Sequence, residues 1–171
     1  LSAEVRARLC DGAVALARYV GYEGAGTVEF MVGADDTITF LEVNTRLQVE
    51  HPVTEAVTGL DLVELQLRVA AGEALPLVQD DVVITGHAIE VRVVAEDPAA
   101  GWTPSTGRID RFHIGEGVRV DTGVSDGAEI SSDYDSLVAK VIAHAPTRAG
   151  AARVLARALR ASQITGIRTN V

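Results

Sequence analysis

An α+β fold is predicted from three observations. Apolar residues recur at helical spacing near both ends of the chain and over residues 62–71, alternating residues mark a hairpin over 27–43, and β-like runs dominate from 83 to 144. Helices and strands fall in blocks, without the strict strand–helix alternation that builds a parallel sheet.

The elements follow in order. Val5, Leu9, Ala13, Leu16 and Val20 share one helical face over residues 2–20, and Gly21 stops it. The segment GYEGAG is read as a helix-to-strand turn, because it lacks the Gly-Lys-Ser/Thr ending of a phosphate loop. Thr27–Val32 and Thr37–Val43 flank GADD, a hairpin turn signal. A turn is expected at His51-Pro52, where proline pushes the preceding residue toward an extended backbone. Asp61 with Glu64 opens a helix over Leu62–Ala71, closed by Gly72. A loop follows, and a domain boundary is placed near residue 80. Beyond it, strands are predicted at 83–95, 107–114, 117–124 and 136–144. A helix over 147–162 puts Ala151, Val154, Leu155, Ala158 and Leu159 on one face and Arg153, Arg157 and Arg160 on a solvated one.

Composition limits the function classes. The 171 residues can bury a sizeable core, and the net charge of −9 argues against a nucleic-acid partner, whose phosphates need clustered cations. No apolar run approaches the ~20 residues of a membrane helix and no signal-peptide pattern opens the chain, so the cytoplasm or an equivalent compartment is expected. A single cysteine, Cys10, excludes an internal disulfide and a cysteine-based zinc site. Fourteen of the fifteen basic residues are arginine, which suits oxyanion contacts but also follows from genomic composition. The chain opens on Leu1 directly before a helix, and it is expected to begin inside a larger protein.

The stretch FLEVNTRLQVEHPVTE sets Glu42, Asn44, Arg46, Gln48 and Glu50 at every second position. Glu42 and Glu29 lie on the two arms of the hairpin, directly opposed if the turn is symmetric; a one-residue slip is expected to leave them diagonal on the same face. Two facing carboxylates repel unless a cation lies between them. Mg²⁺ fits, since it takes a few carboxylates and completes its shell with water and phosphate oxygens, and Asn44 can add a third oxygen; a solvated acid pair is the competing reading. Arg46 offers a donor fork matched to a small planar oxyanion, Gln48 an additional donor, and Glu50 a base within reach of such an anion. A straight strand would spread these groups over roughly 26 Å at ~3.3 Å per residue, so the backbone must curl after about Thr45. His51 is read as a loop anchor, because no second histidine sits at ligand spacing.

Together with HAIEVRVVAEDP, TPSTGRIDRFH and DYDSLVAKVI, that stretch resembles the biotin carboxylase family, in order across essentially the whole chain. The resemblance covers only the C-terminal part of that enzyme: residues 1–80 as the end of its ATP-grasp domain, and 81–171 as the β-rich biotin carboxylase C-terminal domain. It implies an ATP-dependent ligase that uses MgATP (or Mn²⁺) and bicarbonate to carboxylate biotin on a carrier protein by way of carboxyphosphate. Glu29, Glu42 and Asn44 would be the metal residues. Arg46, Gln48 and the backbone of Val49 would bind bicarbonate, and Glu50 would deprotonate it. Arg92 would stabilise the enolate-like oxygen of biotin; from the residues alone, a structural Glu90–Arg92 arrangement on one strand face is equally open. Tyr134 and Asp135 fall in a family-like motif and receive no step.

The resemblance further implies a biotin carboxyl carrier protein or domain and a carboxyltransferase component as partners. It also implies a homodimeric parent with Arg119 near the dimer face. Acyl-CoA, pyruvate and urea systems all share this half-reaction, so the acceptor is left open. The competing readings are another ATP-grasp ligase, of carbamoyl-phosphate synthetase or purine-carboxylase type, and a non-catalytic structural or interaction fragment. Without a nucleotide lid the isolated chain is expected to be inactive.

Overall fold

The computed structural model describes residues 1–171. Four helices, α1 (Ala3–Tyr19), α2 (His51–Thr58), α3 (Leu62–Ala70) and α4 (Arg148–Arg160), accompany eleven strands. These are β1 (Thr27–Val32), β2 (Ile38–Asn44), β3 (His87–Val94), β4 (Glu96–Asp97), β5 (Thr103–Pro104), β6 (Gly107–Arg108), β7 (Arg111–His113), β8 (Arg119–Thr122), β9 (Glu129–Ile130), β10 (Leu137–Ala145) and β11 (Gln163–Thr165). The α+β class holds, and no helix is long and apolar enough to cross a membrane.

The chain divides into two units, one of residues 1–51 with 60–82 and the other of residues 52–59 with 83–171. In the first, Ser2 caps α1 through the Val5 amide, and Val5 is buried. The helix ends at a C-cap, Val20, followed by Gly21 at φ +62°, the left-handed geometry that glycine adopts without penalty. The Asp61 side chain accepts from the Glu64 amide at 2.8 Å, the cap that starts α3. β1 and β2 form an isolated antiparallel hairpin.

The second unit is organised on an antiparallel sheet in the order β3–β10–β8. Six of the nine residues of β10 are buried, since the strand is central and carries α4 on one face. Val93, Ala95, Val138, Ala139, Val141, Ala143 and Leu155 form the core, with Phe112, Ile164 and Ile167 packed against it. Thr147 caps α4 through the Gly150 amide; Ala151, Leu155 and Ala158 are buried, and Arg153, Arg157 and Arg160 face solvent. Short two-stranded pairs, β4–β5, β6–β9 and β7–β11, surround the sheet.

Against expectation, His51-Pro52 opens a helix instead of a turn: the missing proline N–H costs nothing in a first helical turn, where it would be unpaired in any case. The strand expected over 107–114 is split into β6 and β7. Strand β3 starts at His87, not at 83, behind Gly86 at φ +70°, which turns the backbone out of the extended region.

Candidate functional site

The site is built on the hairpin. Its turn closes through Gly33 N–H to Thr37 O at 2.8 Å and Asp36 N–H to Gly33 O at 3.1 Å. Asp36 takes the left-handed conformation at φ 59°, which aspartate tolerates better than most residues. The Asp35 carboxylate accepts from the Thr37 hydroxyl and amide, and these bonds hold it below the ordinary carboxylate pKa range.

From the turn the register runs Val32↔Ile38, Met31↔Thr39 and Phe30↔Phe40. Continued unchanged, it would set Glu29 opposite Leu41 and turn Glu42 to the other face, because strand side chains alternate with period two. A β-bulge intervenes at Glu29/Phe30, Leu41 becomes the extra residue, and the pairing resumes as Glu29↔Glu42, Val28↔Val43 and Thr27↔Asn44. The expectation that a one-residue slip would leave the two acids diagonal on one face is therefore corrected. A slip separates them, and the bulge brings them face to face. On the opposite face Phe30 and Phe40 meet edge to face with ring centroids 6.3 Å apart.

Asn44 joins the acids through its amide nitrogen, 2.8 Å from a Glu29 oxygen and 3.4 Å from a Glu42 oxygen. Its oxygen accepts from Arg46 at 3.0 Å. The third oxygen expected from Asn44 is thus turned to the guanidinium, which needs an acceptor, while the carboxylates draw the donor end of the amide.

The strand ends at Asn44 and the chain leaves the sheet, which folds the next polar residues back. Arg46 donates to Gln48 Oε1 at 3.0 Å, and Gln48 Nε2 approaches the same Glu29 oxygen at 3.5 Å. Glu29, Glu42, Asn44, Arg46 and Gln48 thus form one connected hydrogen-bonded cluster, tighter than a metal end and an anion pocket joined only by a bend. Val49 and exposed Glu50 follow in the turn into α2, where His51 Nδ1 lies 2.7 Å from Gln48 O and anchors the loop. Gln48 is partly buried, and Arg46 and Glu42 are exposed.

The donor set fits a hard cation. Two opposed carboxylates are what Mg²⁺ or Mn²⁺ accepts from a protein when phosphate and water oxygens complete the shell. No three His, Cys, Asp or Glu side chains gather as an all-protein cage would need.

Arg92 stands on β3 in the second unit, opposite Lys140 of β10, with an exposed side chain. Two polar residues of the second unit escaped the sequence reading. Glu55, 7% exposed, receives Arg119 Nη1 at 2.7 Å, and Arg119 also clasps Asp121 through Nε and Nη2 at 2.7 and 2.9 Å. Hydrogen bonds to Asp121 and Glu55 hold the guanidinium proton above its ordinary affinity. Burial pushes the Asp121 carboxyl up, but the hydrogen bonds and charge of Arg119, with Lys140 at 3.4 Å, outweigh it and hold the group below the ordinary range. Asn170 binds the backbone at Arg92 and Val94. Neither residue had a signal in the sequence, for each partner lies more than sixty positions away.

Residues 1–78 match the family described as carbamoyl-phosphate synthase L chain, ATP binding domain, and residues 90–171 match the biotin carboxylase C-terminal domain. The biotin carboxylase of Halalkalibacterium halodurans is 49% identical over 169 residues, covering 98% of this chain and 37% of that protein. The propionyl-CoA carboxylase alpha chain of Ruegeria pomeroyi is 47% identical, over 100% of this chain and 28% of its own length. Among solved structures, the biotin carboxylase domain dimer of Hydrogenobacter thermophilus 2-oxoglutarate carboxylase, in complex with MgADP, ADP and bicarbonate, superposes with a TM-score of 0.91 at 44% identity. That match covers 99% of this chain and 38% of that one. The chain therefore spans well under half the length of these relatives. With the two domain signatures in sequence and near-complete alignment to these carboxylases, the chain belongs to the biotin carboxylase family.

Proposed function

We propose that residues 1–80 close the ATP-grasp domain of a biotin carboxylase and residues 81–171 form its C-terminal domain. The parent enzyme would use MgATP and bicarbonate to carboxylate biotin on a carrier protein. The observation that carries this reading is the bulge-set pairing of Glu29 with Glu42 and the Asn44–Arg46–Gln48 cluster continuous with it.

Glu29 and Glu42 would hold Mg²⁺ or Mn²⁺ with Asn44 beside them, and the bound ion would offset the charge of the nucleotide phosphates. Arg46 turns its donor fork to bicarbonate, Gln48 shares in orienting it, and the Val49 backbone closes the pocket. Glu50 takes the bicarbonate proton, so that an oxygen of the anion attacks the γ-phosphorus and ADP departs. The resulting carboxyphosphate yields CO₂ and phosphate, the released phosphate takes the N1′ proton of biotin, and N1′ bonds to the carbon of CO₂. Arg92 holds the negative oxygen that develops on the biotin ureido group. In such a reaction the protein supplies fixed cationic groups and position, not covalent chemistry.

A biotin carboxyl carrier and a carboxyltransferase component are the partners this reading requires, in a homodimeric parent in the cytoplasm. The 171 residues alone are proposed to be inactive, since they correspond to little more than a third of the biotin carboxylase they resemble. The C-terminal domain signature over 90–171 favours this reading over another ATP-grasp ligase.

The test is bicarbonate-dependent ATP hydrolysis with free biotin, assayed on the full-length parent. Glu50→Ala is expected to lower kcat by on the order of a hundredfold, the scale of a lost general base. Unchanged turnover in that variant would remove the base assignment. Turnover by the 171-residue chain alone would overturn its proposed inactivity.

A further inference from the structure

Strand β3 is the edge of its sheet, paired with β10 on one side only. On the open side, the Asn170 side chain donates from Nδ2 to Arg92 O at 2.9 Å and accepts at Oδ1 from Val94 N–H at 3.0 Å. The carbonyl of one strand residue and the amide two positions on point the same way, and a parallel neighbouring strand would bind both with the N–H and C=O of a single residue. A primary amide carries the same donor and acceptor in the same plane. Asn170 therefore stands in for one rung of a missing strand, at the rung that flanks Arg92.

The residues around this rung make the clamp specific to Arg92. Val93, between the two bonds, is fully buried in the core, so β10 and the core fix one side of the backbone and Asn170 the other. Arg92 points to the face opposite Val93, and its direction follows from the backbone torsions that this rung holds. The segment carrying Asn170 is itself tethered: β11 pairs with β7, Asp110 N–H reaches Thr165 O at 2.9 Å, and Arg168 N–H reaches the Ser105 hydroxyl at 2.8 Å.

We propose that Asn170 is a positioning residue for biotin carboxylation, acting through Arg92. The inference rests on the assignment of Arg92 to biotin under the proposed function. Arg92 acts after bicarbonate has been phosphorylated, so the clamp should matter only when biotin is present.

The test uses the full-length parent with Asn170→Ala and the isosteric Asn170→Asp, which keeps an acceptor for Val94 but sets an oxygen against the Arg92 carbonyl. Both variants are expected to lose roughly five- to tenfold in kcat/KM for free biotin, the scale of one or two hydrogen bonds, while bicarbonate-dependent ATP hydrolysis without biotin keeps its rate. Hydrogen exchange at the Val94 amide should quicken while the amides of β10 stay protected. An equal fall of the two activities would mark a merely structural role and overturn the proposal, as would unchanged exchange at Val94. If Arg92→Ala leaves biotin carboxylation intact, the Arg92 assignment fails; faster exchange at Val94 in Asn170→Ala would still establish the clamp.

Discussion

The hairpin of the first unit and the sheet of the second are both antiparallel, yet they serve opposite ends. Five of the seven residues of β2 are exposed, including the apolar Phe40, Leu41 and Val43, whereas six of the nine of β10 are buried. The hairpin brings its polar groups together through side-chain hydrogen bonds that span fifteen or fewer residues, with Gln48 reaching back nineteen. The sheet of the second unit draws β3 and β10 together across more than forty residues, and its stability lies in the packing of Val93, Val141 and Leu155. A local device sets the geometry of the polar cluster, and a long-range core holds the strand that carries Arg92.

The largest effect should come from the opposed acids. Glu42→Ala in the full-length parent leaves Glu29 without its partner carboxylate, and a loss on the order of a hundredfold in bicarbonate-dependent ATP hydrolysis is expected. Deleting Leu41 removes the bulge but lets the turn register run on with Glu42 in the place of Leu41, still opposite Glu29, so that variant should keep most of its activity. A hundredfold loss in the deletion variant would show that the bulge does more than oppose the acids.

A second contrast is in stability. Val141, fully buried in β10, should cost about 2 kcal/mol when changed to alanine, because the lost methyl groups leave a cavity in a close-packed core. Val43→Ala on the hairpin, 40% exposed, should change the unfolding free energy of this chain by less than about 0.5 kcal/mol in urea denaturation. Equal costs would erase the distinction between the two regions.

Glu55→Gln should destabilise the second unit by about 1 kcal/mol, since it weakens a pair in which the acid is buried but Arg119 is nearly half exposed. Urea denaturation of the variant reads this directly, and Arg119→Gln in the same background should add little if the two act as one pair.

The smallest effect is a pH dependence. The folded Asp121 carboxyl lies below its ordinary value of 3.8, so its contribution to stability is complete above that value and is lost as pH falls from there through the folded pKa. Asp121→Asn should therefore flatten the acid limb of the stability curve below about pH 4 and lower stability slightly at neutral pH. An acid limb unchanged by the substitution would show that Arg119 and Lys140 do not hold this group.

Much of the fold was legible because it is encoded locally. Asp61 and Glu64, Gly21, and the apolar face of Ala151, Leu155 and Ala158 act within one or two helical turns, so spacing and caps sufficed. The α2 helix was missed because Pro52 carries two signals, an extended residue before it and a helix start after it, and the sequence does not choose. Short strands such as β4, β9 and β11 have only two or three residues, too few for a period to show.

The sequence by itself determined the composition of the site: paired acids, an amide, a guanidinium and a second amide at every second position, followed by a backbone bend. It also determined the family, since those motifs recur in order. Only the tertiary structure decided that Leu41 bulges out so that Glu29 meets Glu42, that the Asn44 amide turns its nitrogen to the acids, and that Asn170 completes the edge of β3. The reason is physical: residue types and periods are properties of neighbouring positions, whereas register and edge pairing depend on which distant backbone groups are left to satisfy one another.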